Sequence, residues 1–433
     1  MRVLITNSQT RQTYSIILCL RETADRIVVT MDGTNRFRAR TANTANSRFV
    51  DARYYVPRPD LDWHAGRIQP GNTEREERYV QRIEEVCRLE SIDTIFPSFD
   101  PHVYVFAKNK QRFEENGIVI VGPDHEQVLA PLDKYSSVKA AEGAGLPVPR
   151  TFLPGDDTQI DEVPDLIGPP WVIKPRYTAG SEGQVYVTER KALKETYHAV
   201  NRKHKGPIIQ EFIPGNGKMN LYVMCDRNSE LVSFFAPSVV RISRRLFRNS
   251  TASAISSSNC AYRPQVEKLV KSLKWWGGLT IQTKVDARDG QPKFMEMNPR
   301  LGTTLWLRTE LGVNEPLNYV KLARREPVKP ETFPEDVLLL DPFEDLVGFP
   351  FEWLDLVRFR LRTGLFRARP TDPLNSPPSF VEMLKGYATD YLPRRKRKFS
   401  PHTCNLLNDP LPCLLWYYTY LGYSIKSLKH VGK

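Results

Sequence analysis

The stretch GLTIQTKVDARDGQPKFMEMNPR, residues 278–300, restricts the fold of this chain more than any other. Two apolar runs flank the turn residues Asp289 and Gly290, which is the signature of an antiparallel hairpin. Glu296, Asn298 and Arg300 alternate along the second run, so in a strand of period two they share a face. Pro299 and Gly302 then end the ladder. A hairpin closed at Asp289-Gly290 sets Gln282, fourteen residues before Glu296, beside Glu296 and Asn298. Three oxygen donors that include a single carboxylate suit magnesium, which keeps some waters and shares phosphate oxygens. Arg300 can neutralise charge on a transferring phosphoryl group. Any one of these residues alone reads as a solvated strand end; the four together at these spacings read as a site.

Upstream the pattern is different. RVLIT, the helical pattern in YSIILCLRETA, RIVVT, DTIFPSF, VYVFAKNKQRFEENG and IVIVGP alternate strand with helix. That alternation predicts a parallel α/β unit over residues 1–125, with helices on both faces. Its first turn, TNSQTRQT, contains no glycine, which excludes the dinucleotide fingerprint. Asn7, Ser8, Thr10, Ser98 and Asp100 fall at strand carboxyl ends, where they can line a ligand crevice. Asp100 before Pro101 reads equally well as the cap of the next helix.

Residues 126–330 predict an α+β unit with antiparallel sheets. A helix carrying Lys134 and Lys139 ends at Gly143 or Gly145. PPWVIKPRYTAGSEGQVYV, GPIIQEFIPGNGKMNLYVMCD and the opening stretch each read as a strand pair around a glycine-bearing turn. In the first pair Lys174 ends an apolar strand, and Gly180, Ser181 and Gly183 form a tip whose backbone N–H groups can approach phosphate. Such tips are also ordinary turns. In the second, Glu211, Phe212 and Ile213 offer backbone groups and an acid beside apolar walls, as an adenine ring requires, or else a half-buried strand. Arg241, Arg244, Arg245 and Arg248 read as an acidic-substrate contact or a solvated basic face.

Residues 331–433 are a third segment, a basic and aromatic extension read as helical. From Glu331 to Val357 there are eight acids and no Lys or Arg, whereas Arg358 to Lys433 sums to +10, most of the chain's +12. PRRKRKFS and the aromatic run after Asn408 leave two readings open: contact with an anionic membrane or a protein partner, or a helical cap with a charged loop outside. No recognition motif accompanies the charge, so specific nucleic-acid binding is not expected. The six cysteines include no CxxC pair, and no apolar stretch reaches membrane-spanning length. SIILCL is too short for a secretory signal, and a cytoplasmic location, with peripheral membrane contact as an option, is expected. Neither a P-loop nor a kinase catalytic loop is present to bind phosphate by another route.

Taken in order, LDK, VIKPRYTAGSEG, QEFIPG and GLTIQTKVDARDGQPKFMEMNPR resemble the ATP-grasp superfamily, in particular the synthetase domains of the carbamoyl phosphate synthetase large chain. The resemblance runs over about residues 1–325. It implies a pre-ATP-grasp parallel α/β domain, an ATP-grasp fold of two α+β subdomains, and the helical C-terminal extension. It also implies ATP and two magnesium ions, with manganese able to substitute, the ions held by Gln282, Glu296 and Asn298. Lys134 and Lys174 then match residues that contact ATP phosphates, Gly180 to Gly183 the flexible phosphate loop, and Glu211 to Ile213 the adenine hinge. Arg300, with Lys174, takes the catalytic role. The implied reaction phosphorylates a small-molecule carboxylate and lets an amine capture the acylphosphate. Lys218 stands near where the family places a ribose-binding acid, which leaves open a catalytically inactive nucleotide-binding scaffold or a phosphotransferase. The stretch carries no second synthetase half and no glutaminase segment, so carbamoyl phosphate is not the expected product. The DPLP step before the aromatic run is similar to extensions of stand-alone bacterial ligases that resemble mycosporine-glycine synthase.

Overall fold

The structure is a computed structural model that describes residues 1–33, 44–59, 71–178, 182–215, 217–243, 250–342, 353, 357, 380–391, 396–400 and 408–415. The amino-terminal strands β1 (Arg2–Ile5), β2 (Arg26–Asp32), β3 (Ala52–Val56), β4 (Thr94–Phe96) and β5 (Val119–Ile120) form one parallel sheet in the order β3-β2-β1-β4-β5. Alternation within β1 explains its two faces. Leu4 packs with Val28, Ile95 and the helices Glu74–Glu90 and Asp100–Lys108, while Val3 and Ile5 pack with the helix Arg11–Leu20. The helix Glu74–Glu90 is started by a capping box in which Thr73 and Glu76 satisfy each other's backbone N–H groups.

Two four-stranded antiparallel sheets follow. The strands β6 (Thr151–Phe152), β7 (Trp171–Lys174), β8 (Val185–Val187) and β9 (Ile208–Glu211) run in the order β6-β9-β7-β8. The strands β10 (Leu221–Cys225), β11 (Leu231–Phe235), β14 (Gly277–Val285) and β15 (Pro292–Asn298) run in the order β11-β10-β14-β15. A fourth sheet joins β12 (Ser238–Ser243), β13 (Ser250–Ile255), β16 (Leu338–Leu340) and β17 (Arg397–Phe399), with β17 parallel to β16. Trp276, Leu301, Leu305 and Tyr319 share a core with Val3, Ile5 and Val29, and this packing fixes the β14–β15 hairpin against the parallel sheet.

Two expectations are corrected here. GPIIQEFIPGNGKMNLYVMCD is not a strand pair: β9 and β10 belong to different sheets. The linker between them is held by its own backbone, since Pro214 O accepts from Ala287 N at 3.0 Å and Gly217 O accepts from Val285 N at 2.9 Å. Gly215 sits there at φ +107°, where a Cβ would meet Val285 O at 2.7 Å. The cationic run 393–400 is not wholly a loop, because Arg397–Phe399 adds a strand beside β16. The helix with Lys134 and Lys139 spans Lys134–Ala144, with Gly145 as its left-handed cap. The five described cysteines are free thiols, and no helix among the described residues is long and apolar enough to cross a membrane. The aromatic run after Leu415 and Arg244, Arg245 and Arg248 lie outside the described residues.

Candidate functional site

Asp289 and Gly290 lie in the turn of the β14–β15 hairpin as expected, and the whole turn runs from Asp286 to Gln291, with Gly290 N donating to Asp286 O at 2.8 Å. Across the ladder Gln282 faces Glu296 and Thr280 faces Asn298. The register shifts after Gln282, so that Thr283 faces Phe294 and Met295 is the extra residue. This bulge sends Phe294 into the core, 1% exposed, and leaves Glu296 and Asn298 on the face shared with Gln282. Strict alternation would have placed Phe294 beside Glu296.

Lysines gather around Glu296. Lys174, at the end of β7, is buried and donates to Gln210 Oε1 at 2.6 Å; burial pushes its ammonium down to about 8, with the neighbouring Glu296 acting against that shift. Lys134, the first residue of its helix, donates to Thr178 O, and burial lowers its pKa against the opposing pull of Glu296, Asp100 and Asp133. Lys218 is likewise pushed down to about 8 by burial, again against Glu296. Lys284 lies 4.8 Å above the Phe212 ring, with its pKa lowered by burial. Three ammonium groups held against their own desolvation around one carboxylate, with Lys284 beside two of them, form a site that a polyanion relieves. Lys134, Thr178, Glu296 and Asn298 line a cleft together with Asp100 and Leu132.

Arg300 closes the far side. Its Nη2 donates to Asp100 Oδ2 at 2.9 Å and to Asn298 Oδ1 at 3.4 Å, and its Nη1 to Gln12 Oε1 at 3.3 Å. Asp100 is therefore not the helix cap: Phe99 occupies that position without a side-chain cap, and the Asp100 carboxylate turns to Arg300. Thr10 does act as a cap, accepting from Thr13 N, and Ser98 is spent on Thr6 O and Thr13 Oγ1.

The remaining predicted residues divide. Gly180 and Ser181 lie outside the described residues. Gly183 sits at φ +71°, and a Cβ there would meet His204 Nε2 at 2.8 Å and Pro175 Cγ at 2.9 Å. Ile213 is buried, and Phe212 packs edge-on against Tyr186, with ring centroids 6.0 Å apart. The Glu211 N–H donates to Arg150 O, and its carboxylate accepts from Arg150 N and from Arg288 Nη2 at 2.6 Å. Arg241 is bound to Asp390 through Nε at 2.9 Å and Nη2 at 2.8 Å, which accounts for its charge by a contact within the protein. Sequence reasoning missed Lys284 and Gln12. Lys284 was within reach, two residues beyond Gln282 on the same strand; Gln12 joins only through a contact 288 residues away.

Among the described residues no three His, Cys, Asp or Glu side chains converge as a metal cluster. The oxygen set of Gln282, Glu296 and Asn298 is of the other kind, with one carboxylate and two amides. It suits a hard cation that shares its shell with phosphate. The buried Asn298 Nδ2 has no hydrogen-bond partner, which leaves its amide dipole unconstrained by any second bond on that side.

The family described as ATP-grasp domain matches residues 132–304, from the helix of Lys134 through the β14–β15 hairpin. Residues 132–304 are thus an ATP-grasp domain. It is similar to pyruvate carboxylase of Bacillus subtilis, at 24% identity over 243 residues, 51% of this chain and 20% of that protein. It is also similar to D-alanine–D-alanine ligase of Neisseria gonorrhoeae, at 36% identity over 94 residues, 22% of this chain and 30% of that protein. The matches thus span less than a third of the length of these relatives. Among solved ATP-grasp structures, the biotin carboxylase domain of Hydrogenobacter thermophilus 2-oxoglutarate carboxylase shares the fold with a TM-score of 0.58 at 17% identity. The match covers 78% of this chain and 73% of that one, and that structure is a complex with magnesium ADP, ADP and bicarbonate.

Proposed function

We propose that this ATP-grasp protein is an ATP-dependent carboxylate–amine ligase. The observation that carries the reading is the convergence of Lys134, Lys174 and Lys218 on Glu296, with Lys284 beside Lys174 and Lys218 and with Gln282 directly opposite that acid. Phosphoryl transfer asks for positioning and charge neutralisation rather than for a protein nucleophile. The lysines supply the positive field for a triphosphate. Gln282, Glu296 and Asn298 would hold magnesium, two ions in the full site and replaceable by manganese, and the ions would supply neutralisation of the phosphate charge. Phe212 and Ile213 supply the apolar wall for the base, and Gly180 to Gly183 the loop over the phosphates.

In this reading a carboxylate oxygen of the substrate attacks the γ-phosphorus and the bond to the β-phosphate oxygen breaks, releasing ADP. Arg300 stabilises the charge that develops on the transferred group. The amine lone pair then attacks the acyl carbon, phosphate leaves, and the amine proton passes to solvent, leaving an amide. That a curated relative is named a D-alanine–D-alanine ligase supports a ligase that joins two small molecules. Residues 126–330 form the ATP-grasp unit, 1–125 the α/β unit before it and 331–433 the extension. A small soluble acid and amine as substrates, and a cytoplasmic location, belong to the same proposal.

The test is calorimetric titration of a non-hydrolysable ATP analogue with magnesium into the wild type and Glu296→Ala. Micromolar, magnesium-dependent binding that weakens at least tenfold in the variant is expected. Absence of binding to the wild type would overturn the proposal and leave the scaffold reading without its ligand as well.

A further inference from the structure

The parallel sheet has a switch point between β1 and β4: from β1 the chain builds β2 and β3 on one side, then returns for β4 and β5 on the other. In open α/β sheets the crevice beyond the strand carboxyl ends at such a point is the ligand-binding position. Here it is framed by the segment 6–12 after β1, where Ser8 and Gln12 are buried, and by Asp100 after β4. Arg300 enters from the ATP-grasp hairpin and ties Gln12, Asp100 and Asn298 into one network.

Every member of that network keeps a buried polar atom without a hydrogen-bond partner: Gln12 Nε2, Arg300 Nε, Asn298 Nδ2 and Asp100 Oδ1. Buried polar atoms are nearly always paired, and four orphans on four connected side chains mark a place built for a guest. Three of them are donors and the fourth is a carboxylate oxygen. Asp100 and Asn298 also line the cleft that holds Lys134 and Glu296, so the network borders the phosphate side.

We infer that this crevice seats the acid substrate, and that the acid carries a protonated amine beside its carboxylate, as an α-amino acid does. Asp100 Oδ1 accepts from the ammonium, while Gln12 Nε2 and Arg300 Nε donate to the carboxylate that receives the phosphoryl group. A plain carboxylate would place a second anion beside Asp100 and leave its oxygen unmet. A plain amine would leave the three donors unmet. The inference rests on the ligase reading and adds the charge pattern of the substrate.

Hydroxylamine trapping tests it. The protein is supplied with magnesium, ATP and hydroxylamine, and with each of the standard L-amino acids, its N-acetyl derivative or its deaminated analogue, and hydroxamate and ADP are measured. Turnover is expected only with a free α-amine. Asp100→Asn and Asp100→Glu should raise the half-saturating amino-acid concentration at least tenfold, with affinity for the non-hydrolysable ATP analogue kept within twofold as the control for folding. Equal turnover of the N-acetyl or deaminated acids would overturn the inference while leaving the ligase reading intact, and would assign the orphaned atoms to ordered water. Hydroxamate from no acid, with nucleotide still bound, would remove the ligase reading and this inference with it.

Discussion

Gln282 lies directly opposite Glu296 across the β14–β15 ladder, although fourteen residues of chain separate them. Directly opposed side chains in an antiparallel pair stand about 5 Å apart at Cβ, close enough for two oxygens to serve one cation. Their action should therefore be coupled. Magnesium titrations in the presence of the ATP analogue are expected to show about tenfold weaker metal binding for Gln282→Ala, by analogy with the loss of other supporting metal contacts. The double variant Gln282→Ala with Glu296→Ala should be little worse than Glu296→Ala alone. Additive losses would separate the two residues and remove Gln282 from the metal site.

Nucleotide affinity should carry a signature of the buried lysines. Burial holds Lys174 and Lys218 at about 8, below the ordinary 10.5. A triphosphate favours their charged forms, so binding takes up protons once the free protein has lost them. Affinity is expected to be flat below pH 8 and to fall above it, with a log–log slope approaching two when both lysines contribute. Stability runs the other way: the unfolded chain binds more protons between about pH 8 and 10.5, so these two groups make the unliganded protein more stable as pH rises through that window. Calorimetry in buffers of different ionisation enthalpy measures the proton uptake directly, and none at pH 9 would refute this account.

The hairpin and its acid, amide and guanidinium were legible because one short stretch contains both strands and the turn, and period two assigns the faces. The bulge at Met295 was not legible, since an inserted residue looks like any other in a one-dimensional pattern. The helix of Lys134 and its end at Gly145 followed from local rules. By contrast β9 and β10 looked like a hairpin because each is apolar and a Gly-rich segment lies between them, and nothing local distinguishes a turn from a crossing between sheets. Arg300 could be assigned a charge but not a partner, because Asp100 and Gln12 are 200 and 288 residues away. Glu211 could be read as an acid beside apolar walls but not given a partner, because Arg288, which donates to its carboxylate, is 77 residues away. Contacts of that separation follow from packing, which no spacing rule encodes.

Asp409, from the DPLP step, fastens the carboxyl-terminal segment to the parallel sheet's outer layer. It is 2% exposed and accepts from Tyr14 Oη at 3.2 Å, Ser47 Oγ at 2.5 Å and Arg48 N at 3.0 Å. Asp409→Ala removes the acceptor these donors share and should cost about 2 kcal/mol. Amide hydrogen exchange is the appropriate measurement, with faster exchange expected in residues 11–20 and 44–48 and unchanged exchange in β7 and β9. Uniform acceleration across the chain would mean that Asp409 holds the whole fold rather than this clasp.

The ion pair of Arg308 and Glu315 sits deeper than any at the candidate site. Both side chains are 1% exposed, and Arg308 Nε donates to Glu315 Oε2 at 2.5 Å. Ser233 Oγ donates to Glu315 Oε1 at 2.8 Å, and the guanidinium lies 4.2 Å above the Tyr222 ring. Removing one partner strands the other charge in the core, so Arg308→Met is expected to lose about 3–5 kcal/mol. Replacing both with apolar residues of similar volume removes the stranded charge, and Arg308→Met with Glu315→Leu should recover at least half of that loss. Urea unfolding of the two variants beside the wild type decides it. A double variant as unstable as the single one would mean that the Ser233 bond and the stacking on Tyr222, rather than the pairing of charges, hold this part of the core together.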